Sequence, residues 1–416
     1  MERILILFLA GILSLNSFGH ELSVSAQKAD IDSLCNQIIN VHPQPFRYIG
    51  KTKFLAKRDS LKTVIKESAS LSNFYLRIAP LLASIQDGHC SMDMPVDERI
   101  EFTKNGGKVM PMTIRLNSDC LLVDYPCVDS KLRSGDTLKS INGVSCAEIM
   151  RRIFSLQGSE VNNELKCKVL SRNLNILLWY MYGWSEKFTF EVLRDNKIIS
   201  ETLEGIASGE YLAAKRLHPQ TSKKFSLEYI DEKTAKIVIP NFYQITEMKA
   251  FCDSAFAKMK TDKITSLYLD LKGNPGGAES GIEVLMDYFK HPAYRIYSDG
   301  KIKVCEVSKE YQKEHHPENY ELIKDKEIGN LVTFPKEPLI PCNYQDTNAF
   351  DGKLTVLVDG QTYSAASTFA HLISKNKIGE VRGITGCPTA YTGNYLAFRL
   401  PNSKLNYYIT TCVFRE

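Results

Sequence analysis

The chain has 416 residues, of which 44% are hydrophobic and 24% charged, and this composition is typical of folded globular proteins rather than disordered ones. A chain of this length usually forms about two or three domains. The formal net charge of +4 is small and the basic residues are scattered, so nothing in the composition indicates nucleic-acid binding.

The N-terminus has the pattern of a secretory signal peptide. Arg3 supplies a positive charge, residues 4–15 are apolar, and Val24, Ser25 and Ala26 offer small residues for cleavage. The apolar run is shorter than the roughly 20 residues that a membrane-spanning helix needs, and no later stretch reaches that length. We therefore expect a protein without a membrane span, exported to the periplasm or outside the cell after removal of residues 1–26; a buried N-terminal helix is the alternative.

Residues 27–106 are predicted to be largely helical. Residues 54–65 are rich in helix formers, and residues 74–82 carry apolar side chains at helical spacing. This region ends at Asp87 and Gly88, because an Asp-Gly pair is a turn signal.

Residues 107–205 are predicted to form a small β-rich module. Short runs of β-forming residues alternate there with turn residues such as Asn142 and Gly143, and one helix is expected at 148–156. The predicted strands are residues 109–116, 121–125, 137–141 and 188–193.

Residues 206–416 are predicted to form the last domain, in which strands and helices alternate from about residue 225. This alternation is typical of a largely parallel sheet with helices on both faces, so we expect an α/β fold. The predicted strands are 235–239, 267–271 and 354–358, and the predicted helices are 247–259, a helix ending near 290, and 365–375.

Two strand–turn–helix units in this α/β region carry candidate catalytic residues. The first ends in Gly276 and Gly277, which allow the backbone to turn sharply and approach a ligand. The second presents Ser364 just before a helix whose first amide belongs to Ala365. Ligands of open α/β sheets bind outside the carboxyl ends of the strands. An oxyanion formed by attack of Ser364 could therefore be held by the amides of Ala365 and of Gly276 or Gly277.

A serine hydroxyl needs a base, and histidine suits neutral pH best. His89 follows the Asp-Gly turn and is the candidate base, and Asp87 is a possible orienting residue because positions i and i+2 share a face in extended chain. His371 lies about two helical turns from Ser364, roughly 10 Å, which is too far for a direct hydrogen bond. Polar or turn contexts predict solvent exposure for five other histidines: His42, His218, His291, His315 and His316.

The 11 cysteines form no C-x-x-C pair and no zinc-ligand spacing, so the sequence predicts neither a metal nor another cofactor. In an exported protein some of them could pair as disulfides. Scattered buried thiols are the alternative.

Each of these signals is weak by itself, since a serine before a helix is more often an N-cap than a nucleophile. Together, however, six segments resemble the C-terminal processing (tail-specific) serine peptidases, particularly the branch related to the tricorn protease. They occur in the order found in that family: residues 82–89, 132–143, 239–242, 270–277, 362–366 and 383–403.

The resemblance implies a Clp/crotonase-like catalytic core at 206–416 and a helical N-terminal region that carries the base. It also implies a PDZ-like module at 107–205 that binds peptide ends by strand addition. The expected function is exported serine endopeptidase, cleaving peptides or unfolded protein tails through a Ser364 acyl-enzyme with His89 as general base. The implied oxyanion donors are Gly276, Gly277 and Ala365.

Three departures from the family pattern keep other functions open. Cys387 and its neighbours replace the lysine base of one branch, which favours His89. No glutamate matches the one that orients the histidine in the tricorn-like branch, and the family usually continues past this point, so a truncated C-terminus is expected. Ser367 stands where glutamate is common. The alternatives are an inactive relative that binds peptides or ligands, and an unrelated crotonase-like enzyme acting on acyl thioesters.

Overall fold

Three β-sheets and the helices packed on them make up the protein, seen in a computed structural model that describes residues 21–218, 223–334, 338–341, 348–388 and 390–415. This mixed architecture confirms the α/β class predicted from the sequence. Among the described helices, none is long and apolar enough to cross a bilayer.

The N-terminal region is a helical layer with one short strand. Helix α1 is capped by Ser23, whose hydroxyl accepts the Ala26 amide, and α3 is capped in the same way by Ser70. The elements are α1 (Val24–Val41), α2 (Lys51–Val64), α3 (Leu71–Ala83), β1 (Ser91–Met92) and α4 (Val96–Lys104).

Most of the predicted signal peptide lies outside the described residues, but its end overlaps the fold. Leu22 is buried and pairs with Ala69, and residues 24–26 form the first turn of α1. Cleavage directly after Ala26 would remove this start of the helix. The signal peptide itself stays a prediction.

The middle region contains an antiparallel sheet of six strands in the order β2-β3-β4-β6-β7, with β5 paired to β4. Asn142 and Gly143 join β4 to β5 with positive φ values of 50° and 76°, as expected for a tight hairpin. The predicted strands and the first helix are found, whereas β5, β7 and two helices were missed. The elements are β2 (Met112–Leu116), β3 (Leu121–Pro126), β4 (Thr137–Ile141), β5 (Val144–Ser145), α5 (Cys146–Phe154), α6 (Glu164–Ser171), α7 (Leu174–Tyr182), β6 (Lys187–Arg194) and β7 (Lys197–Glu204).

The C-terminal region contributes the other two sheets. It begins with α8 (Ser208–Leu217), β8 (Ser226–Tyr229), β9 (Thr234–Val238), α9 (Ile245–Thr261), β10 (Ser266–Asp270), α10 (Ser280–Met286), β11 (Asp299–Lys303), α11 (Glu306–His315) and α12 (Pro317–Ile323). It continues with β12 (Leu331–Thr333), β13 (Lys353–Leu357), α13 (Ala365–Lys375), β14 (Glu380–Arg382), β15 (Ala390–Arg399) and β16 (Asn406–Arg415).

The predicted parallel sheet has the order β14-β13-β10-β9-β8, in which only the edge strand β8 runs antiparallel. The remaining sheet was not predicted. It is built on the β15–β16 hairpin, and β16 also pairs with β11 and with β1. Because Met92 of β1 lies opposite Tyr407, this hairpin runs next to the segment that follows His89.

Two main apolar cores hold these layers together. The first is continuous from the N-terminal helices into the middle sheet and includes Leu400 and Ile409 from the ends of the β15–β16 hairpin. The second lies between the parallel sheet and its helices α9, α10 and α13. The N-terminal and middle regions thus share one core.

Asp30 of α1 provides a test of how the β15–β16 hairpin is anchored. Its buried carboxylate accepts the Asn402 amide at 2.9 Å, the Asn402 side chain at 2.8 Å and the Ser403 amide at 2.7 Å. We expect Asp30→Ala to lower the free energy of unfolding by about 2–4 kcal/mol, because it leaves the buried Ser403 amide and the partly buried Asn402 amide without their acceptor. Asp32→Ala on the same helix removes only a partly exposed ion pair with Lys62 and should cost below about 1 kcal/mol. Urea unfolding measures both, and equal losses would contradict this anchoring role.

Candidate active site

The glycine turn and the serine turn lie side by side because β10 and β13 are adjacent parallel strands. The Gly273 amide donates to the Asp359 carboxylate at 2.8 Å, and the Tyr363 amide donates to the Asn274 carbonyl at 2.9 Å. The side chain of Thr362 adds a bond to the Leu271 carbonyl at 2.9 Å. The two turns are therefore tied together by backbone and side-chain hydrogen bonds.

Glycine is required at both positions of the first turn. Gly276 and Gly277 have φ values of 88° and 143°, which side-chain-bearing residues rarely adopt. A Cβ atom on Gly276 would lie 2.6 Å from the Tyr363 carbonyl oxygen, and one on Gly277 would lie 2.4 Å from the backbone of Phe242. The glycines thus allow this turn to pack directly against the serine turn.

Ser364 stands immediately before α13 with φ 50° and ψ −131°, a strained backbone for a non-glycine residue. Its hydroxyl makes no capping hydrogen bond to the helix, so the structure does not support an N-cap role for this serine. Its amide donates to the buried Cys387 Sγ at 3.2 Å. The strained turn presents a half-exposed hydroxyl at the carboxyl edge of the sheet.

The backbone amides near Ser364 differ in whether they already donate a hydrogen bond within the protein. The Gly276 amide donates to Asn274 Oδ1 at 2.9 Å. Within the described residues, the Gly277 and Ala365 amides donate to no other protein group. Of the three candidate oxyanion donors, Gly277 and Ala365 are therefore the ones with free N–H groups.

His89 lies against Tyr363, the residue just before Ser364. Its Nδ1 atom is 3.1 Å from the Tyr363 hydroxyl oxygen, and the two ring centroids are 4.7 Å apart. Burial lowers the pKa of His89, with Asp87 acting in the opposite direction, so the ring is neutral at pH 7. The structure thus brings the predicted base to the predicted nucleophile segment, 275 residues away in the chain.

Asp87 holds the turn more directly than it holds the ring of His89. Its Oδ1 accepts the His89 amide at 2.8 Å and lies 3.9 Å from His89 Nδ1. Its Oδ2 accepts from His42 Nε2 at 2.8 Å and from the Thr410 hydroxyl at 2.7 Å. The buried carboxylate therefore joins the end of α1, the His89 turn and β16.

Two histidines predicted to be exposed are buried. His42 is 2% exposed because Asp87 and the Gln44 amide satisfy both ring nitrogens. The Gln44 amide donates to His42 Nδ1, so the proton lies on Nε2, facing Asp87. His291 is also buried, whereas His218, His315 and His316 are exposed as predicted.

Sequence reasoning missed Glu160 and Tyr363. The Tyr363 hydroxyl donates to both carboxylate oxygens of Glu160, at 3.0 and 3.1 Å. Burial, reinforced by the nearby charge of Asp87, raises the pKa of Glu160 to about 8. Glu160 belongs to the connection between α5 and α6, in a stretch whose sequence carries no catalytic motif.

That connection packs against both halves of the site. A Cβ atom on Gly158 would lie 2.9 Å from the Asp87 carbonyl oxygen, and one on Gly360 would lie 2.3 Å from Asn162 Oδ1. Glu164, at the start of α6, accepts the Gly360 amide at 3.1 Å. The middle region therefore forms one wall of the site.

Among the residues that the structure describes, two groups of side chains have donor atoms close enough to hold a metal ion: His42, Asp87 and Cys90, and Asp87, His89 and Glu160. The carboxylates in both groups already accept the hydrogen bonds described above. We therefore assign both groups to hydrogen bonding rather than to metal binding. The described cysteines form no disulfide and most of them are buried, in line with the thiol alternative; Cys342 lies outside the described residues. His371 contacts the Thr385 hydroxyl at 3.1 Å.

Comparison with known families finds a match in the C-terminal region. Residues 233–404, which include the glycine turn and Ser364, match the model of peptidase family S41. This part of the chain belongs to peptidase family S41. The family predicted from the sequence, the C-terminal processing peptidases, is thereby confirmed.

Solved structures share the fold of this chain at low sequence identity. A mutant of CPAF is 12% identical with a TM-score of 0.66, and the match covers 94% of this chain and 89% of that chain. Mature CPAF complexed with lactacystin is 13% identical with a TM-score of 0.62, covering 94% of this chain and 91% of that chain. The likeness extends well beyond the S41 segment and shows a common fold.

The tricorn-like branch stays a prediction. The tricorn protease is 12% identical with a TM-score of 0.23, and the match covers 82% of this chain and 32% of that chain. No curated protein sequence matches the chain.

Gly88 provides a test of the geometry around His89. A Cβ atom at this position would lie 2.4 Å from the Tyr363 hydroxyl oxygen and 2.8 Å from Glu160 Oε2. Since both atoms are at side-chain ends, Gly88→Ala should shift the melting temperature by only a few degrees, yet slow the reaction of Ser364 with a fluorophosphonate at least tenfold. Gly209→Ala, where a Cβ meets nothing, is the matched control. Unchanged reactivity of Gly88→Ala would show that this packing does not matter for the serine.

Proposed function

We propose that the protein is an exported serine endopeptidase that cleaves peptides or unfolded protein tails, with Ser364 as nucleophile and His89 as general base. The observation that carries the proposal is the meeting of three separate segments at one sheet edge. They are the strained Ser364 turn, the glycine turn with its free amide, and the His89 turn packed on Tyr363. The match to peptidase family S41 supports the same reaction.

In the proposed first step, Ser364 Oγ attacks the carbonyl carbon of the scissile peptide bond. His89 takes the hydroxyl proton and later gives it to the leaving amine, which produces an acyl-enzyme and a free amino end. Water then attacks the ester, with His89 again accepting a proton, and restores the serine. A neutral His89 at pH 7 is in the protonation state that this role requires.

The amides of Gly277 and Ala365 are proposed to stabilise the tetrahedral oxyanion. Ala365 begins α13, so its amide also lies at the positive end of a helix dipole. Removing one donor from such a site typically slows a reaction about a hundredfold to a thousandfold. The Gly276 amide is excluded from this role in the proposal because Asn274 accepts it.

The middle region offers a place for the substrate chain. Strand β2 is an edge strand in the described sheet, and a cavity of about 410 Å³ beside it is lined by the apolar Met112, Ile114 and Leu174 and by the charged Arg115 and Arg172. An extended peptide could add to this edge by main-chain hydrogen bonds while its side chains enter this partly apolar and partly charged cavity. This supports the proposal that the module is PDZ-like and captures substrate.

Labelling with a fluorophosphonate tests the nucleophile and the base. Wild-type protein should be labelled, Ser364→Ala should not, and His89→Ala should be labelled at least a hundredfold more slowly because the serine loses its base. Lactacystin, which is bound in the CPAF complex, serves as a second probe. Mass spectrometry of the labelled peptide identifies the modified residue.

Two variants are matched controls for these changes. Ser374→Ala removes an exposed hydroxyl from the same helix, and His371→Ala removes the nearest histidine in sequence; both should label like wild type. Equal labelling of wild type and Ser364→Ala would contradict the assignment of Ser364 as the nucleophile. Failure of folded wild type to react or to cleave a peptide library, with retained peptide binding, would support the inactive binding relative instead.

A further inference from the structure

We propose that Tyr363 and Glu160 together form a positioning pair for His89. In this pair the Glu160 carboxylate, which belongs to the middle region, orients the base through the Tyr363 hydroxyl. This inference rests on the proposed function of His89. Tyr363 Oη lies 3.1 Å from His89 Nδ1 and 3.0 Å from the nearer oxygen of Glu160. The hydroxyl therefore bridges the imidazole ring and the carboxylate.

The direction of the hydrogen bonds determines which nitrogen of His89 carries the proton. An ionised Glu160, the form that dominates above its pKa of about 8, can only accept, so the Tyr363 hydroxyl proton then points to Glu160. The phenol oxygen is then left to accept from the other side, and His89 must place its proton on Nδ1. Its Nε2 is consequently the unprotonated nitrogen, which is the atom that a general base needs.

Asp87 is less well placed for this role. Its nearer oxygen is 3.9 Å from His89 Nδ1, beyond hydrogen-bond distance. That oxygen already accepts the His89 amide, and the other accepts from His42 and Thr410. Asp87 holds the backbone of the turn, whereas the Tyr363–Glu160 pair holds the ring.

Burial and packing fix the bridge in place. Tyr363 is 6% exposed, its ring packs on the imidazole, and Gly88 leaves just enough room for its hydroxyl. The groups that face this bridge from the surrounding elements are Tyr48, Asp87, His89, Lys166 and Cys387. Burial, reinforced by the negative charge of nearby Asp87, disfavours the ionisation of Glu160 at neutral pH.

Protonation of Glu160 should reverse the bridge. A carboxylic acid can donate to the Tyr363 oxygen, which then turns its own proton toward His89 Nδ1 and moves the histidine proton to Nε2. With a pKa of about 8 for Glu160, the rate of Ser364 labelling should rise about tenfold between pH 7 and pH 9. His89 is already deprotonated over this range and does not produce the rise.

Glu160→Gln and Tyr363→Phe test the bridge with little change in shape. The glutamine amide places one NH2 donor and one acceptor oxygen where the carboxylate offered two acceptors, and phenylalanine keeps the ring packing but loses the hydroxyl. Each should slow fluorophosphonate labelling at least tenfold and abolish the rise between pH 7 and pH 9, and the double variant should be no slower than the slower single variant. Tyr48→Phe, which removes a neighbouring phenol outside the bridge, should behave like wild type.

A second readout does not depend on activity. In folded protein at pH 9, ¹⁵N NMR of His89 should show the Nδ1–H tautomer in wild type and the Nε2–H tautomer in Glu160→Gln. Loss of labelling by wild type would overturn the proposed peptidase, while the NMR result still decides the bridge. If His89 has the same tautomer in both proteins, or if both single variants label at the wild-type rate and keep the pH dependence, the positioning pair is wrong.

Discussion

The parallel pairing of β10 with β13 is the constraint on which the rest of the site depends. Parallel strands end at the same edge of a sheet, so this pairing places the glycine turn beside the serine turn. Hydrogen bonds from Gly273 to Asp359 and from Tyr363 to Asn274 then fix the distance between them. The strained backbone of Ser364 can persist because the turns on both sides of it are held in this way.

The third segment of the site, the His89 turn, is held in place by a different set of contacts. The His89 turn follows α3, and the buried Asp87 carboxylate joins it to His42 at the end of α1 and to Thr410 on β16. A buried carboxylate with three donors is stable only when all of them are present, since each lost partner leaves an uncompensated charge or dipole. The N-terminal helices and the last described strand are therefore structural supports of the proposed base, although they contribute no reactive atom.

The middle region has two connected roles in this arrangement. Its sheet edge and adjoining cavity lie on one side, and the connection between α5 and α6 reaches the site with Glu160 on the other. Lys168 of α6 also donates to the Gly273 carbonyl at 2.9 Å. A region expected only to bind peptides is thus also part of the wall around His89 and Ser364.

Local patterns in the sequence determined the elements and the candidate residues. Alternating apolar runs, the Asn-Gly turn, the paired glycines and the helix at Ala365–Lys375 predict the α/β class, and the ordered motifs predict the family and point to Ser364 and His89. Tertiary structure alone decided the burial of His42, the engagement of the Gly276 amide and the bridge from His89 through Tyr363 to Glu160. Local patterns record backbone preferences and the periodic burial of apolar side chains. A hydrogen bond between residues 160 and 363, by contrast, exists only after distant segments have packed together.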